Sequence, residues 1–145
     1  MISVMKRHTF SAAHRLYDYN GQCEQLHGHN YTVEVTLSSE ELDPLGMVLD
    51  FAEIKRMLIE ALDRIWDHRT ILFVDDPLAK QLPELLNDNS VFVLPRNPTA
   101  ENMAWYLGTV FFPGELASHE VCETIRVQKV TIYETENNSA TWQAN

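Results

Sequence analysis

Between residues 29 and 37 the chain alternates strictly: Tyr31, Val33, Val35 and Leu37 are apolar, while Asn30, Thr32, Glu34 and Thr36 are polar. A period of two marks a strand with one buried face. Residues 4–15 are likewise rich in strand-compatible side chains, and the polar stretch Asp18-Tyr19-Asn20-Gly21-Gln22 separates the two runs. Asp43-Pro44-Leu45-Gly46 reads as a turn. The period then changes. Phe51, Ile54, Leu58, Ala61, Leu62 and Ile65 recur at helical spacing, and Asp50 with Glu53 has the form of a capping box, so a helix is expected over residues 51–66. A second helix is expected to start at Thr99, with Met103, Tyr106, Leu107, Val110 and Phe111 on its apolar face and Pro113-Gly114 as its stop. Residues 124–134 and 140–143 return to strand. In the first of these, Ile125, Val127, Val130 and Ile132 fall on both parities, which implies a sheet covered on both sides, the second cover being another subunit. Between residues 70 and 97 only Val91 to Leu94 has strand character, and Pro77 and Pro83 break any long element.

The order strand–strand–helix–helix–strand–strand argues for an α+β fold, an antiparallel sheet with both helices on one face. No repeat, linker or shift in composition divides the chain, so residues 1–145 are expected to form a single domain. No apolar run approaches the roughly 20 residues that span a bilayer. The start, Met1-Ile2-Ser3-Val4-Met5-Lys6-Arg7-His8, lacks the basic residues followed by an apolar stretch of a secretory signal. A soluble, cytoplasmic protein without a membrane partner is the expectation. Eleven Lys and Arg against 21 Asp and Glu give a net charge of −10, which repels phosphate backbones and disfavours nucleic acid as a partner. A local basic pocket for a small anion remains compatible with that charge. The two cysteines, Cys23 and Cys122, are too few for a disulfide framework and are expected as thiols.

Candidate chemistry gathers at the strand ends. His14 closes the first strand, while His27 and His29 open the second with Gly28 between them. Residues two apart on a strand share a face, and an antiparallel neighbour can bring His14 to the same spot. Three neutral imidazoles suit Zn²⁺ with one position open; the plain alternative is three satisfied or exposed histidines. Cys23 is a fourth ligand, a catalytic thiol or an inert residue. Asp67 and His68 are either a proton relay or a histidine favourably placed at a helix C-terminus, and as neighbours on an extended chain they need not touch. Glu134 is a solvated strand-end acid or a planar acceptor for an aminopyrimidine edge. Glu101 is by itself a favourable charge at a helix start.

Taken together, F-S-A-A-H at 10–14, C-x3-H-G-H-N-Y at 23–31, G-M-V-L-D-F at 46–51, D-H at 67–68, P-T-A-E-N at 98–102 and Y-E-T at 133–135 resemble the 6-pyruvoyltetrahydropterin synthase family. The Cys23-to-His27 spacing is like that family's carboxy-forming branch, which serves the queuosine (7-deazapurine) pathway. The resemblance implies a tunnelling fold: a four-stranded antiparallel sheet with two helices, oligomerising into a barrel, commonly as a hexamer with sites between subunits. It implies a zinc-dependent lyase acting on 7,8-dihydroneopterin triphosphate, with acetaldehyde and triphosphate released; the pyruvoyl-forming branch eliminates triphosphate but keeps the carbon chain. A zinc-stabilised pterin-binding protein without turnover is the reading from another class. His14, His27 and His29 match the zinc ligands, Cys23 the proton acceptor, Asp67 and His68 its relay, and Glu134 the pterin anchor. Thr99 and Glu101 fall where the pterin pocket is lined. Two departures stand out: Arg69-Thr70-Ile71-Leu72-Phe73 replaces a short Leu-Asn pair after D-H, and the stretch up to Pro98 is long. By position, Lys6, Arg7, Arg15 and Arg69 are candidates to hold the triphosphate.

Overall fold

In the computed structural model, which describes residues 1–145, six strands form one sheet: β1 (Ile2–His14), β2 (His27–Ser39), β3 (Thr70–Phe73), β4 (Val91–Leu94), β5 (Arg126–Thr135) and β6 (Asn138–Gln143). Their order is β4-β3-β1-β2-β5-β6. Four of them, β1, β2, β5 and β6, make the expected antiparallel set. The other two correct the expectation of a four-stranded, purely antiparallel sheet, because β3 runs parallel to β1 and β4 parallel to β3. A parallel neighbour requires a crossover, and the stretch between residues 70 and 97 supplies one, with helix α2 (Leu78–Leu85) joining β3 to β4. β4 falls on Val91–Leu94, the stretch with expected strand character, whereas the four residues of β3 are too few to display a period, which is why the parallel unit is hidden in the sequence. Pro77 precedes α2, and the helix ends two residues after Pro83.

Two longer helices cover one face of the sheet. Helix α1 runs through Phe51–Ile54, a π-helical stretch Lys55–Ile59, and Glu60–Trp66. Asp50 caps it by accepting the Ala52 N–H at 2.7 Å, while Glu53 turns outward to Arg56, so only half of the capping box forms. Helix α3 runs through Ala100–Tyr106, the π-helical stretch Leu107–Phe111, and Phe112–Ser118, with Thr99 accepting the Asn102 N–H at 3.2 Å. Pro113 therefore does not stop α3. A proline removes an N–H and crowds the carbonyl one turn back. Here the wider π-helical turn directly precedes it, the Phe112 N–H reaching back to the Leu107 carbonyl, and the helix continues.

Tyr31, Val33, Val35 and Leu37 lie fully buried against Leu58, Leu62, Trp66, Met103, Leu107 and Phe112. On β5 the register shifts by one residue: Thr36 stands opposite Lys129, but Leu37 opposite Val127, leaving Gln128 as the extra residue of a bulge. The bulge changes parity, so Val127, Val130 and Ile132 all belong to this one core. Apolar residues on both parities thus need no second cover. No helix is long and apolar enough to cross a membrane.

Candidate active site

The β1–β2 ladder ends with His14 opposite His27. His14 shares the core-facing side of β1 with Phe10 and Ala12 and is 2% exposed. His27 and His29 sit half-buried on the matching side of β2, in line with Tyr31. Gly28 between them lets the strands close, since a Cβ there would lie 3.3 Å from the Ala12 carbonyl oxygen. The ligand nitrogens of the three histidines lie within 4.8 Å of one another.

The backbone sets the tautomers. His14 Nδ1 lies 2.8 Å from the Pro98 carbonyl oxygen and His27 Nδ1 2.6 Å from that of Gln25. A carbonyl only accepts, so both Nδ1 atoms carry the proton and both Nε2 atoms present a bare lone pair. Those lone pairs face each other across 3.1 Å. Two acceptors that close repel unless a cation lies between them, and His29 offers a third nitrogen. Burial, the largest influence, depresses the His14 pKa to about 4, and burial also lowers His29. Both are held in the neutral form that binds metal. The cluster fits a divalent ion.

Cys23 lies in a short 3₁₀ turn, Gln22–Glu24, whose position is fixed by the Leu16 N–H donating to the Cys23 carbonyl at 2.8 Å. Its exposed thiol stands outside the three-histidine group. Together with His14, Thr99, Glu101 and Glu134 it lines a cavity of about 290 Å³. Glu134 occupies the register shift between Tyr133 and Thr135 where β5 meets β6. Such irregularities re-aim a side chain, and here a Glu134 oxygen comes 3.7 Å from His14 Nε2. Thr99 has a structural task as well, as the cap of α3.

Asp67 and His68 are placed elsewhere. Asp67 Oδ1 accepts the Ser11 N–H at 3.0 Å and its Oδ2 lies 2.9 Å from His68 Nδ1. The neighbours do touch, because His68 adopts φ 58°, the left-handed region, which swings its ring back toward Asp67. Burial pushes the Asp67 carboxyl upward, but the Ser11 N–H and His68 outweigh it and hold it below the ordinary carboxylate value. The His68 ring, 82% exposed, opens into a different cavity, of about 460 Å³, bordered by Ser11, Gly28, His29, Asn30 and Arg69. Within one chain the pair does not share the Cys23 cavity.

Two of the basic candidates are committed to other partners. Arg15 makes a bidentate pair with Asp76, both contacts at 2.6 Å, and Arg7 bonds Glu34 at 3.0 Å while lying over the Tyr133 ring. Asp76 is a residue the sequence does not single out; nor does it reveal the carbonyls of Pro98 and Gln25, which carry no side-chain signal. Tyr31 has a signal, lying two residues beyond His29 on the same face, and its buried hydroxyl has no hydrogen-bond partner.

Residues 3–145 match the 6-pyruvoyl tetrahydropterin synthase family, and the chain belongs to it. A relative from Rickettsia conorii named 6-carboxy-5,6,7,8-tetrahydropterin synthase is 35% identical, over 94% of this chain and 96% of its own length. An uncharacterized protein from Wolinella succinogenes shares the fold with a TM-score of 0.82 at 24% identity, covering 99% of this chain and 98% of its own. The Caenorhabditis elegans 6-pyruvoyl tetrahydropterin synthase superposes with a TM-score of 0.66 at 29% identity, over 99% and 96% of the two chains. Family and relatives together make this protein a lyase-type enzyme of pterin synthesis.

Proposed function

We propose that the protein is a zinc-dependent lyase that converts 7,8-dihydroneopterin triphosphate to 6-carboxytetrahydropterin, with release of acetaldehyde and triphosphate, in queuosine (7-deazapurine) biosynthesis. The observation that carries this reading is the pair of bare Nε2 lone pairs of His14 and His27, facing each other beside His29, at a cavity that also holds Cys23 and Glu134. His14, His27 and His29 hold the zinc, which supplies Lewis acidity toward the side-chain oxygens of the substrate. Glu134 accepts two parallel hydrogen bonds from the 2-amino and N3–H edge of the pterin and so fixes the side chain near the histidines. Thr99 and Glu101 line the same pocket. Cys23 as thiolate takes a proton from a side-chain carbon, and the electron pair released there expels triphosphate as the C–O bond breaks. The ring gains its two hydrogens as the adjacent side-chain carbon is oxidised to a carbonyl. Water then adds to that carbonyl, its bond to the next carbon breaks, and the two remaining carbons leave as acetaldehyde while the 6-carboxylate stays on the ring.

Asp67 and His68 manage the charge state of a thiol. Since they open into another cavity of their own chain, that thiol is the Cys23 of an adjacent copy in a homo-oligomer, a hexamer with sites between subunits as the family resemblance implies. The cytoplasm is the compartment that fits two thiols and a nucleotide-derived substrate. Incubation with 7,8-dihydroneopterin triphosphate tests the reading. Acetaldehyde should appear in step with substrate loss, alongside a pterin bearing a 6-carboxylate. Stoichiometric 6-pyruvoyl product without acetaldehyde would assign the chain to the other branch, and tightly held zinc without any turnover would leave a pterin-binding protein.

A further inference from the structure

The proposed substrate carries a polyanionic phosphate chain, while the protein carries a net charge of −10. Such a group needs a cavity free of carboxylates. The cavity holding Cys23 has Glu101 and Glu134 in its wall, and its neighbour along β5 has Glu134 and Glu136. The two cavities near the start of α1 include Asp50, joined in one of them by Asp43 and Glu53. The cavity at the end of β1 and β2, on the polar side of the sheet, has no acidic residue in its wall. From this contrast, and resting on the substrate proposed above, we infer that the cavity formed by Ser11, Gly28, Asn30, His68, Arg69 and Thr70 is the subsite that receives the phosphate chain.

The donors there are oriented. Ser11 Oγ donates to Asn30 Oδ1 at 2.7 Å, which leaves the Asn30 amide N–H groups free to donate outward. Asp67 is part-exposed beside this wall, and its two oxygens are taken up by the Ser11 N–H and His68 Nδ1, so the free nitrogen of His68 is Nε2. Backbone bonds to β1 fix the turn on both sides: the His68 N–H donates to the Ser11 carbonyl at 2.7 Å, and the Ala13 N–H to the Arg69 carbonyl at 3.0 Å. The left-handed conformation of His68 is retained within that clamp, as strained backbone is at working sites. Arg69 makes one contact, at 3.3 Å to the Arg64 carbonyl, and a guanidinium has five N–H donors. Arg7 and Arg15, by contrast, are each paired with a carboxylate. The volume of about 460 Å³ suits a small ligand, and His29 belongs both to this wall and to the metal-binding cluster. A phosphate chain held here faces the Cys23 cavity of an adjacent copy, the arrangement proposed above for Asp67 and His68, and its departing charge meets Arg69.

Inorganic triphosphate is the probe, titrated calorimetrically into the full-length, metal-loaded protein. Arg69→Ala should weaken its binding about 10–100-fold, the loss expected for charge-assisted hydrogen bonds, with metal content and circular dichroism unchanged. Ser11→Asp, which brings a carboxylate into the wall, should weaken it in the same direction. In turnover, Arg69→Ala should raise the KM for 7,8-dihydroneopterin triphosphate and relieve inhibition by inorganic triphosphate. Equal binding of triphosphate by the wild-type protein and both variants, or no binding by the wild type, overturns the subsite. Triphosphate binding that depends on Arg69, in a protein that leaves 7,8-dihydroneopterin triphosphate unconsumed, would uphold the subsite and refute the proposed reaction.

Discussion

Asp76→Ala is the most demanding test of how the structure supports the site. The Asp76 carboxylate is fully buried, receives Arg15 Nε and Nη2 at 2.6 Å each, and accepts the Leu78 N–H at 2.9 Å at the start of α2. Burial alone would raise its pKa, but the Arg15 bonds, the Leu78 N–H and the guanidinium charge outweigh it and hold the carboxyl below its ordinary value of 3.8. Removing one partner of a buried pair strands the other, which costs about 3–5 kcal/mol. For a chain of this size that is a fall in Tm on the order of 10 °C. Urea denaturation at pH 7 measures it. The double replacement Arg15→Met with Asp76→Leu should recover most of the loss, because an apolar pair of similar shape leaves no orphaned charge. Asp76 has a depressed pKa in the folded state, so its contribution is present above the unfolded value and is lost as pH falls through the lower folded one. The gap between wild type and Asp76→Ala should therefore persist at neutral pH and close only below about pH 4. A gap under about 1 kcal/mol at pH 7, or one that survives full protonation of the carboxyl, would refute this account of the pair.

His27→Ala and His29→Ala should each lower metal content measured by atomic absorption; full occupancy in both would remove the three-histidine site. Cys23→Ala should keep its metal and lose about 10²–10⁴-fold in kcat, the contribution of a general base; loss of the metal instead would make the thiol a ligand. Glu134→Gln turns one contact with the pterin edge repulsive and should cost about 2–3 kcal/mol in kcat/KM; unchanged kinetics would leave Glu134 a strand-end acid. In the metal-free protein, His14 has a pKa lowered from 6.5 to about 4, so the unfolded chain takes up a proton that the folded one refuses. Its stabilising contribution is whole above pH 6.5 and disappears as pH falls to about 4, an upper limit on the order of 3 kcal/mol. Substituting His14 with Gln should flatten that part of the stability profile, and an unaltered profile would refute it.

The long, periodic elements were legible in the sequence because burial imposes a pattern on them. β2 alternates over its core positions, and α1 repeats Phe51, Ile54, Leu58 and Leu62 at helical spacing. The strand that escaped, β3, has four residues and no room for a pattern; the strand character of β4 at Val91–Leu94 could be read, but the parallel pairing of both depends on a crossover rather than on side-chain parity. β5 misled for the opposite reason. It carries a pattern, but a bulge at Gln128 shifts it by one, so apolar residues that look two-sided face one core. Pro113 misled because a preceding π-helical turn absorbs what a proline would break in a regular helix.

At the site the same division falls between side chains and backbone. Histidines spaced for one strand face could be read from H-G-H, but which of their nitrogens is bare could not. That depends on the carbonyls of Pro98 and Gln25, the first of them 84 residues from His14 in the chain. Nor could the contact between Asp67 and His68 be read, because it requires a left-handed backbone at a residue that is not glycine. Both features are held by bonds to or beside the last residues of β1, where the metal-binding cluster faces the core side of the sheet and the Asp67–His68 pair opens on the other. A single strand end thus presents an imidazole cluster to one cavity and an acid–imidazole pair to a second. Moving Ser11 or Ala13 would disturb both, and this gives the chemistry at residues 14, 27 and 29 a physical link to the turn at 67–69 that their separation in sequence conceals.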